Sequence, residues 1–375
     1  MAGPVRVMQI MGYMGGGGVE QTIMNHYRLF DRTQVQFDFV IQDNSPVVPE
    51  EEINALGGRI YRIPAIRNIT KYSRELLHLI LNTKPSIIHS NVNALSVVPL
   101  RIAKQAGVPI RIAHSHSTAN NREILRTAAK DMLRPLSTLY PTELAACGIY
   151  SAQWLFGQKA VDQGHVHYIK NAIDLDRFSF KQTSRDQLRK EFGLSRKFVI
   201  GQVGRFSSQK NHAFSLDVFA HLHAEMPNSM FVALGSGPLL DNMRHKAHSL
   251  GLDSSVLLPG RRDDVAEWYS AFDVLIFPSL YEGVPLTGIE AQAAGLPIIA
   301  SNNISKETFI EQELIHIQSL EDSAKTWSDQ IQAIASHLPA RTNRNASLTE
   351  AGYDIRRSAR DMQEWYLSLS DNINP

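Results

Sequence analysis

Short apolar segments with the pattern of buried strands alternate with helical segments along the chain, and this alternation restricts the possible folds more than any other feature. In the first half, strands are predicted at Val5–Met11, Val35–Ile41, Arg59–Ile63, Ser86–Ser90 and Ile110–Ala113. Helices are predicted between them, near residues 50–56, 69–83 and 93–105. Strands that are separated by helices form a parallel sheet covered on both faces, and right-handed crossovers make such a unit Rossmann-like.

The second half of the chain repeats this alternation. Its strands are predicted at Phe198–Gly204, Ser229–Gly235, Val256–Leu258, Asp273–Phe277 and Pro297–Ala300. Helices are predicted at residues 211–223, with Asn211 as the N-cap, and at 239–249, 265–272 and 285–294. Two more are predicted near 320–338 and 350–369. A chain of 375 residues is too long for a typical single domain. We therefore predict two α/β domains, residues 1–170 and 171–350.

The composition argues against several classes of protein. It is that of a globular protein, 43% hydrophobic and 20% charged, and no apolar run is long enough for a membrane span. The single cysteine, Cys147, can form no internal disulfide, and the N-terminus lacks the pattern of a signal peptide, so we expect a cytoplasmic protein. Net charge is +6 for residues 1–170 and −5 for residues 171–375. The basic half suits an anionic membrane or a phosphorylated acceptor, while the lack of a dense Lys/Arg block argues against nucleic acid.

Two glutamates lie in a loop that follows an apolar strand and in the helix that comes after this loop. Glu282 lies in the loop, and Glu290 lies inside the helix, whose first position suits Pro285. The backbone N–H groups near Leu286 and Thr287 open this helix and favour an anion. Two carboxylates beside a positive helix terminus suit a ligand with both a phosphate and several hydroxyls. The alternative is that both glutamates are solvated surface charges.

The spacing of these glutamates, with Glu-Gly-Val-Pro around the first, resembles the signature of the retaining family 4 glycosyltransferases of the GT-B fold. The Gly-Gly-Gly-Val-Glu turn that ends at Glu20 and the loop Pro259–Val265 are similar to segments of the same family. Arg205, with Lys210 five positions later, is similar to the family's diphosphate site. Ala172 departs from the glycine of the family's Asn-Gly-Ile-Asp segment.

The resemblance implies a fold and a set of functional residues. The expected fold is α/β, GT-B, with two Rossmann-like domains whose parallel sheets face each other across a cleft, and residues 351–375 form a helix that returns to the first domain. The implied catalytic residues are Glu282, Arg205, Lys210 and His116. The implied donor-binding residues are Gly17, Gly18, Gly204, Arg205, Lys210, Gly235, Arg261, Glu282, Gly283, Val284, Pro285, Leu286, Thr287 and Glu290.

Each charged residue of this set has an implied role. Glu290 binds the ribose hydroxyls, and Glu282 orients the donor sugar. Arg205 and Lys210 hold the diphosphate, which two cations can neutralise without a metal ion. Gly17 and Gly18 line the cleft from the first domain, although a flexible tight turn is the alternative for a lone glycine-rich segment.

Two histidines end one predicted strand of the first domain. The family has a histidine at a corresponding strand end, near the donor sugar and the acceptor. We assign this role to His116, with His114 as the alternative. No third ligand lies adjacent to the pair, so no metal site is predicted.

A helix predicted from Asn121 to Tyr140 carries basic residues at a repeat of four. They are Arg122, Arg126, Lys130 and Arg134. At this repeat they share one face, which is either a solvated face or a surface for weak, salt-sensitive association with an anionic membrane.

The resemblance, together with the two cations, implies a metal-independent, retaining glycosyltransferase without a cofactor. Its co-substrate would be a nucleotide-diphosphate sugar, UDP-linked, and its acceptor a saccharide or lipid-linked saccharide of surface-polysaccharide synthesis. Two alternatives are a sugar-nucleotide epimerase of the same fold and a non-catalytic nucleotide-sugar-binding subunit. The retained set of Glu282, Glu290, Arg205 and Lys210 argues against both.

Overall fold

The computed structural model describes residues 3–116 and 132–372. These residues divide into two compact units. The chain up to Ala172, together with the chain from Ile355 onward, forms the first unit, and Ile173–Asp354 forms the second.

The described residues of the first unit form a seven-stranded parallel sheet. Its strands are β1 (Val5–Gly12), β2 (Val35–Gln42), β3 (Arg59–Ile63), β4 (Ile87–Ser90), β5 (Ile110–Ser115), β6 (Glu143–Ala146) and β7 (Val166–Tyr168). The order across the sheet is β3-β2-β1-β4-β5-β6-β7, and every neighbouring pair is parallel. The carboxyl ends of all these strands therefore meet at one edge.

The helices of the first unit connect these strands. They are α1 (Gly18–Leu29), α2 (Glu50–Ala55), α3 (Ile69–Thr83), α4 (Val97–Gln105), α5 (Ile149–Phe156) and α6 (Gln158–Asp162). Short 3₁₀ helices lie at Asn93–Ser96 and Arg134–Leu136.

The C-terminal helix, Ile355–Asp371, packs on the first unit. Its Met362 and Tyr366 side chains belong to the same apolar core as Tyr27 and Phe37. Trp365 stacks on the ring of His167, with 4.1 Å between the ring centroids. The end of the chain thus completes the core that its beginning forms.

The second unit has a six-stranded parallel sheet. Its strands are β8 (Phe198–Val203), β9 (Ser229–Leu234), β10 (Val256–Gly260), β11 (Val274–Phe277), β12 (Ile298–Ser301) and β13 (Ile315–Gln318), in the order β10-β9-β8-β11-β12-β13. Its helices are α7 (Leu175–Phe178), α8 (Gln182–Glu191), α9 (His212–Glu225), α10 (Leu240–Ser249), α11 (Val265–Ala271), α12 (Leu286–Ala293), α13 (Ala324–Ser336) and α14 (Asn345–Glu350). Short 3₁₀ helices lie at Ser208–Lys210, Lys306–Thr308 and Gln312–Leu314.

Two local predictions are corrected by the structure. Asn211 was expected to cap helix α9 with its side chain, but it has a left-handed backbone (φ 54°) and makes no capping bond, because a 3₁₀ turn leads directly into the helix. Pro285 precedes the first residue of α12 instead of occupying it.

The predicted basic helix is described only at its end. Arg122, Arg126 and Lys130 lie outside the described residues. Arg134 is exposed and begins a 3₁₀ turn, so the expected regular helix does not continue to Tyr140. No helix within the described parts of the chain combines the length and the apolar character needed to cross a membrane.

Candidate active site

Two loops of the second unit lie side by side at the carboxyl edge of its sheet. They follow β8 and β11, which are neighbours and parallel. Gln209 connects them: its carbonyl accepts from the N–H of Leu280 at 2.8 Å, and its side-chain amide donates to the carbonyl of Tyr281 at 3.1 Å. These bonds bring together two segments that are about 70 residues apart in the sequence.

Lys210 and Glu282 form an ion pair between these loops. Lys210 Nζ lies 2.6 Å from Glu282 Oε1, and the two side chains are only 16% and 10% exposed. The ammonium group also lies 5.2 Å from the centroid of the Phe277 ring, and the Lys210 carbonyl accepts a bond from Gln202. The cation assigned to the diphosphate and the carboxylate assigned to the sugar are therefore in direct contact.

Two predicted donor-binding glycines, Gly204 and Gly235, lie close to each other at this edge, and close backbone packing requires the glycine at position 235. The N–H of Gly204 donates to the carbonyl of Leu234, and that of Gly235 donates to the carbonyl of Gly260, each at 2.9 Å. Gly235 has φ +145°, and a Cβ there would lie 2.0 Å from the Gly204 carbonyl oxygen. Arg205, the residue after Gly204, is exposed.

The segment that opens α12 is held in place by the chain after β12. The backbone N–H of Glu282 donates to Asn303, and its carbonyl accepts from Ser305, each at 3.3 Å. The carbonyl of Gly283 accepts from the hydroxyl of Thr308. Three further predicted donor-binding residues of this unit, Val284, Leu286 and Thr287, are buried. Pro285 is partly buried, and Arg261, which follows β10, is exposed.

Glu290 is partly buried in α12 and is bound to a residue that sequence reasoning missed. Its Oε2 accepts a hydrogen bond from the hydroxyl of Tyr269 at 2.8 Å. Burial raises the pKa of Glu290 to about 7, although this bond and the charges of Arg177 and Lys210 act in the opposite direction. Glu290 therefore changes charge near neutral pH.

The glycine loop of the first unit is organised by Glu20. The Glu20 carboxylate accepts from the N–H of Gly15 at 2.9 Å and from the N–H of Gly17. Gly17 and Gly18 are exposed, and a Cβ added at Gly18 would contact nothing within 4 Å. Packing within the described chain therefore gives no reason for a glycine at position 18.

The two candidate histidines of the first unit have different surroundings. His114 is completely buried, with its Nδ1 3.0 Å from Nε2 of His89. His116 is 7% exposed, and its Nε2 lies 2.9 Å from Oδ1 of Asn91. Their rings stack with 3.7 Å between centroids. Across the described part of the chain, no group of three or more His, Cys, Asp or Glu side chains is arranged to hold a metal ion.

Comparison with known proteins identifies the family. Residues 16–177 match the family described as "Glycosyltransferase Family 4", and residues 184–353 match "Glycosyl transferases group 1". The chain is 34% identical over 363 residues to the putative glycosyltransferase EpsF of Bacillus subtilis, a match that covers 94% of each chain.

The chain belongs to the family 4 glycosyltransferases. This glycosyltransferase is also 26% identical over 309 residues, 79% of each chain, to the Escherichia coli UDP-Gal:alpha-D-GlcNAc-diphosphoundecaprenol alpha-1,3-galactosyltransferase. Its fold is similar to that of Anabaena HepE in complex with UDP-glucose, with a TM-score of 0.72, 14% identity and 98% of each chain covered. The predicted GT-B class, with two Rossmann-like units, is thereby confirmed.

The raised pKa of Glu290 predicts a pH dependence of nucleotide binding. If the ionised carboxylate accepts the ribose hydroxyls, affinity for a UDP-sugar should strengthen as pH rises through about 7, by up to about 10-fold between pH 6 and pH 8. Glu290→Gln should bind about 10-fold or more weakly than the wild type at pH 8 and should lose this pH dependence. Calorimetric titration at both pH values measures it. An equal pH profile in the two proteins would contradict the role of Glu290.

Proposed function

We propose that this glycosyltransferase moves a sugar, with retention of anomeric configuration and without a metal ion, from a UDP-sugar to a saccharide or lipid-linked saccharide acceptor. The observation that carries the proposal is the mostly buried ion pair of Lys210 with Glu282, in a loop that also carries the exposed Arg205. In this proposal Lys210 binds the diphosphate, and the adjacent Glu282 carboxylate binds the sugar.

The chemistry of the pair suits a leaving diphosphate. An ammonium has three donors, so Lys210 can keep its contact with Glu282 and also donate to a phosphate oxygen. Arg205 adds a planar fork that matches two phosphate oxygens. Cationic groups that are already in position at the carboxyl edge of the sheet, where water is partly excluded, stabilise the negative charge that develops as the sugar–phosphate bond breaks.

The carboxylates and the helix terminus complete this donor site. Glu282 has a second oxygen for a sugar hydroxyl, and Glu290 can accept the ribose hydroxyls while Tyr269 holds it. The N-terminus of α12 directs its dipole toward the same phosphate. With these cations in place, the diphosphate charge is balanced by the protein itself.

The acceptor class is supported by the relatives. One similar enzyme is named for a GlcNAc-diphosphoundecaprenol acceptor, and another relative, 23% identical over 376 residues, is named as a capsular polysaccharide biosynthesis glycosyltransferase of Staphylococcus aureus. We propose a role in surface-polysaccharide synthesis, at the inner face of the membrane, with at most weak attachment to anionic lipid.

The test is UDP release from a panel of UDP-sugars, with and without a lipid extract that contains acceptors. We expect release that depends on the extract and survives EDTA, with an α-linked product from an α-linked donor. Conversion of the donor to its epimer without UDP release would support the epimerase instead. Binding without any turnover would support the non-catalytic subunit, and loss of activity in EDTA that Mg²⁺ or Mn²⁺ restores would reject metal independence.

A further inference from the structure

A chain of buried polar side chains runs from the C-terminal helix of the first unit to the end of β5. Its members, each at most 7% exposed, are Gln9, His89, Asn91, His114, His116 and Tyr366. Burial lowers the pKa of each histidine, that of His116 to about 3, so the three imidazoles are neutral at pH 7. A neutral imidazole has one N–H donor and one bare acceptor nitrogen, and its partners determine which is which.

Asn91 fixes the first of these assignments. Its Nδ2 lies 3.5 Å from the carbonyl oxygen of His89 and 3.6 Å from the sulfur of Met11, neither of which can donate. The same nitrogen donates to Oε1 of Gln9 at 2.9 Å. The amide oxygen of Asn91 therefore faces His116, whose Nε2 must carry the proton. Nδ1 of His116 is left as a bare acceptor.

Tyr366 fixes the second assignment. Its hydroxyl accepts from Nε2 of Gln9 at 3.1 Å and lies 2.6 Å from Nδ1 of His89. Because the Gln9 nitrogen can only donate, Nδ1 of His89 is the contact that can accept the tyrosine proton. His89 therefore carries its proton on Nε2 and donates it to Nδ1 of His114 at 3.0 Å. His114 in turn has its proton on Nε2.

We infer that Asn91, and the chain of Gln9, Tyr366 and His89, are positioning groups that hold His116 with a bare Nδ1 and His114 with an Nε2–H. Neither of these two atoms has a hydrogen-bond partner among the described residues, although both are buried. A hydroxyl group both donates and accepts, so a saccharide hydroxyl matches this pair of stacked rings. The identity of the ligand rests on the proposed function, whereas the proton positions do not.

The proton positions can be measured by long-range ¹H–¹⁵N spectra of protein labelled in its histidines, assigned by single His→Gln variants. At pH 7 we expect neutral Nε2–H forms for His89, His114 and His116. Asn91→Leu should change the tautomer of His116. Tyr366→Phe, the matched variant, should change His89 and His114 and leave His116 as it was. A proton on Nδ1 of His116 in the wild type, or an unchanged His116 in Asn91→Leu, would overturn the inference.

A second substitution keeps the test decisive if Asn91→Leu does not fold. Asn91→Asp retains an oxygen that faces Nε2 of His116, and its negative charge should raise the pKa of that histidine. His116 should therefore titrate at a higher pH than in the wild type, while Nε2 keeps its proton. The other titratable groups that act on this cluster are His26 and His167. An unaltered titration of His116 would count against the contact.

The transfer assay tests the ligand. Asn91→Leu should lower kcat/KM for the acceptor reaction by about 2- to 10-fold, the effect of one neutral hydrogen bond. Altered tautomers with unchanged transfer would overturn the match to a saccharide hydroxyl and leave the glycosyltransferase proposal intact. If the wild type shows no transfer, the proposed function fails, and with it the saccharide ligand, while the spectra still decide the positioning roles.

Discussion

Lys210→Met is expected to lower kcat by about 100-fold or more, the loss that follows removal of a charge that stabilises a transition state. The substitution keeps the length of the aliphatic stem, so packing against Phe277 should persist. It also leaves Glu282, which is only 10% exposed, without its cation beside an incoming diphosphate. The Glu282 carboxylate and the diphosphate would then lie at the same edge of the sheet without the lysine that neutralises their charge.

The matched control is Lys246→Met. Lys246 also forms a 2.6 Å ion pair, with Asp217, but both side chains are more exposed and neither belongs to the proposed site. Its loss should change turnover little. Arg205→Ala should lower turnover in the same way as Lys210→Met. Near wild-type turnover in Lys210→Met, measured as UDP release at saturating donor, would contradict the diphosphate assignment.

Asp273→Ala is expected to destabilise the protein by about 3–5 kcal/mol. The Asp273 carboxylate accepts from Arg185 and Arg189, each at 2.5 Å, and from the backbone N–H of Val199 at 2.8 Å. The side chain of Asp273 is 7% exposed and that of Arg189 is 8% exposed. The substitution therefore leaves two buried or partly buried guanidinium groups without their carboxylate at the base of β11, the strand that leads to Glu282.

Urea unfolding of the full chain measures this effect. In Asp273→Ala the transition that reports the second unit should move to a lower urea concentration. Asp241→Ala, which removes an exposed ion pair with Arg244, should change the free energy of unfolding by no more than about 0.5 kcal/mol. An equal shift in the two variants would contradict a structural role for the Asp273 cluster.

Sequence reasoning located strands by their apolar residues. These form a continuous run in Val274–Phe277 and are interrupted by Gln36 and Asp38 in Val35–Gln42, and both strands are buried on both faces of a sheet. It missed β6, β7 and β13, which are only three or four residues long and carry polar residues such as Glu143, His167 and Gln318. Of these, β7 and β13 also lie at the edges of their sheets. These segments form strands because they pair with a neighbouring strand, and such a tertiary contact cannot be predicted from the local sequence.

The site was predictable only as separate pieces. The motifs indicated Lys210 and Glu282 individually, but nothing in the sequence indicated that they would form an ion pair. Tyr269 and Gln209 were missed because their roles depend on contacts with Glu290 and with a distant loop. A tyrosine inside a short, mostly buried helix, or a glutamine in a loop, has no local signal that separates it from an ordinary packing or surface residue.

The central claim is that the second unit binds the nucleotide diphosphate through Lys210, Arg205 and Glu290. The most direct measurement is an experimental structure of the protein with bound UDP. We predict phosphate oxygens within hydrogen-bond distance of Lys210 Nζ and the Arg205 guanidinium, with both ribose hydroxyls on the Glu290 carboxylate. UDP bound elsewhere, or bound with its diphosphate directed away from Lys210 and Arg205, would contradict the claim.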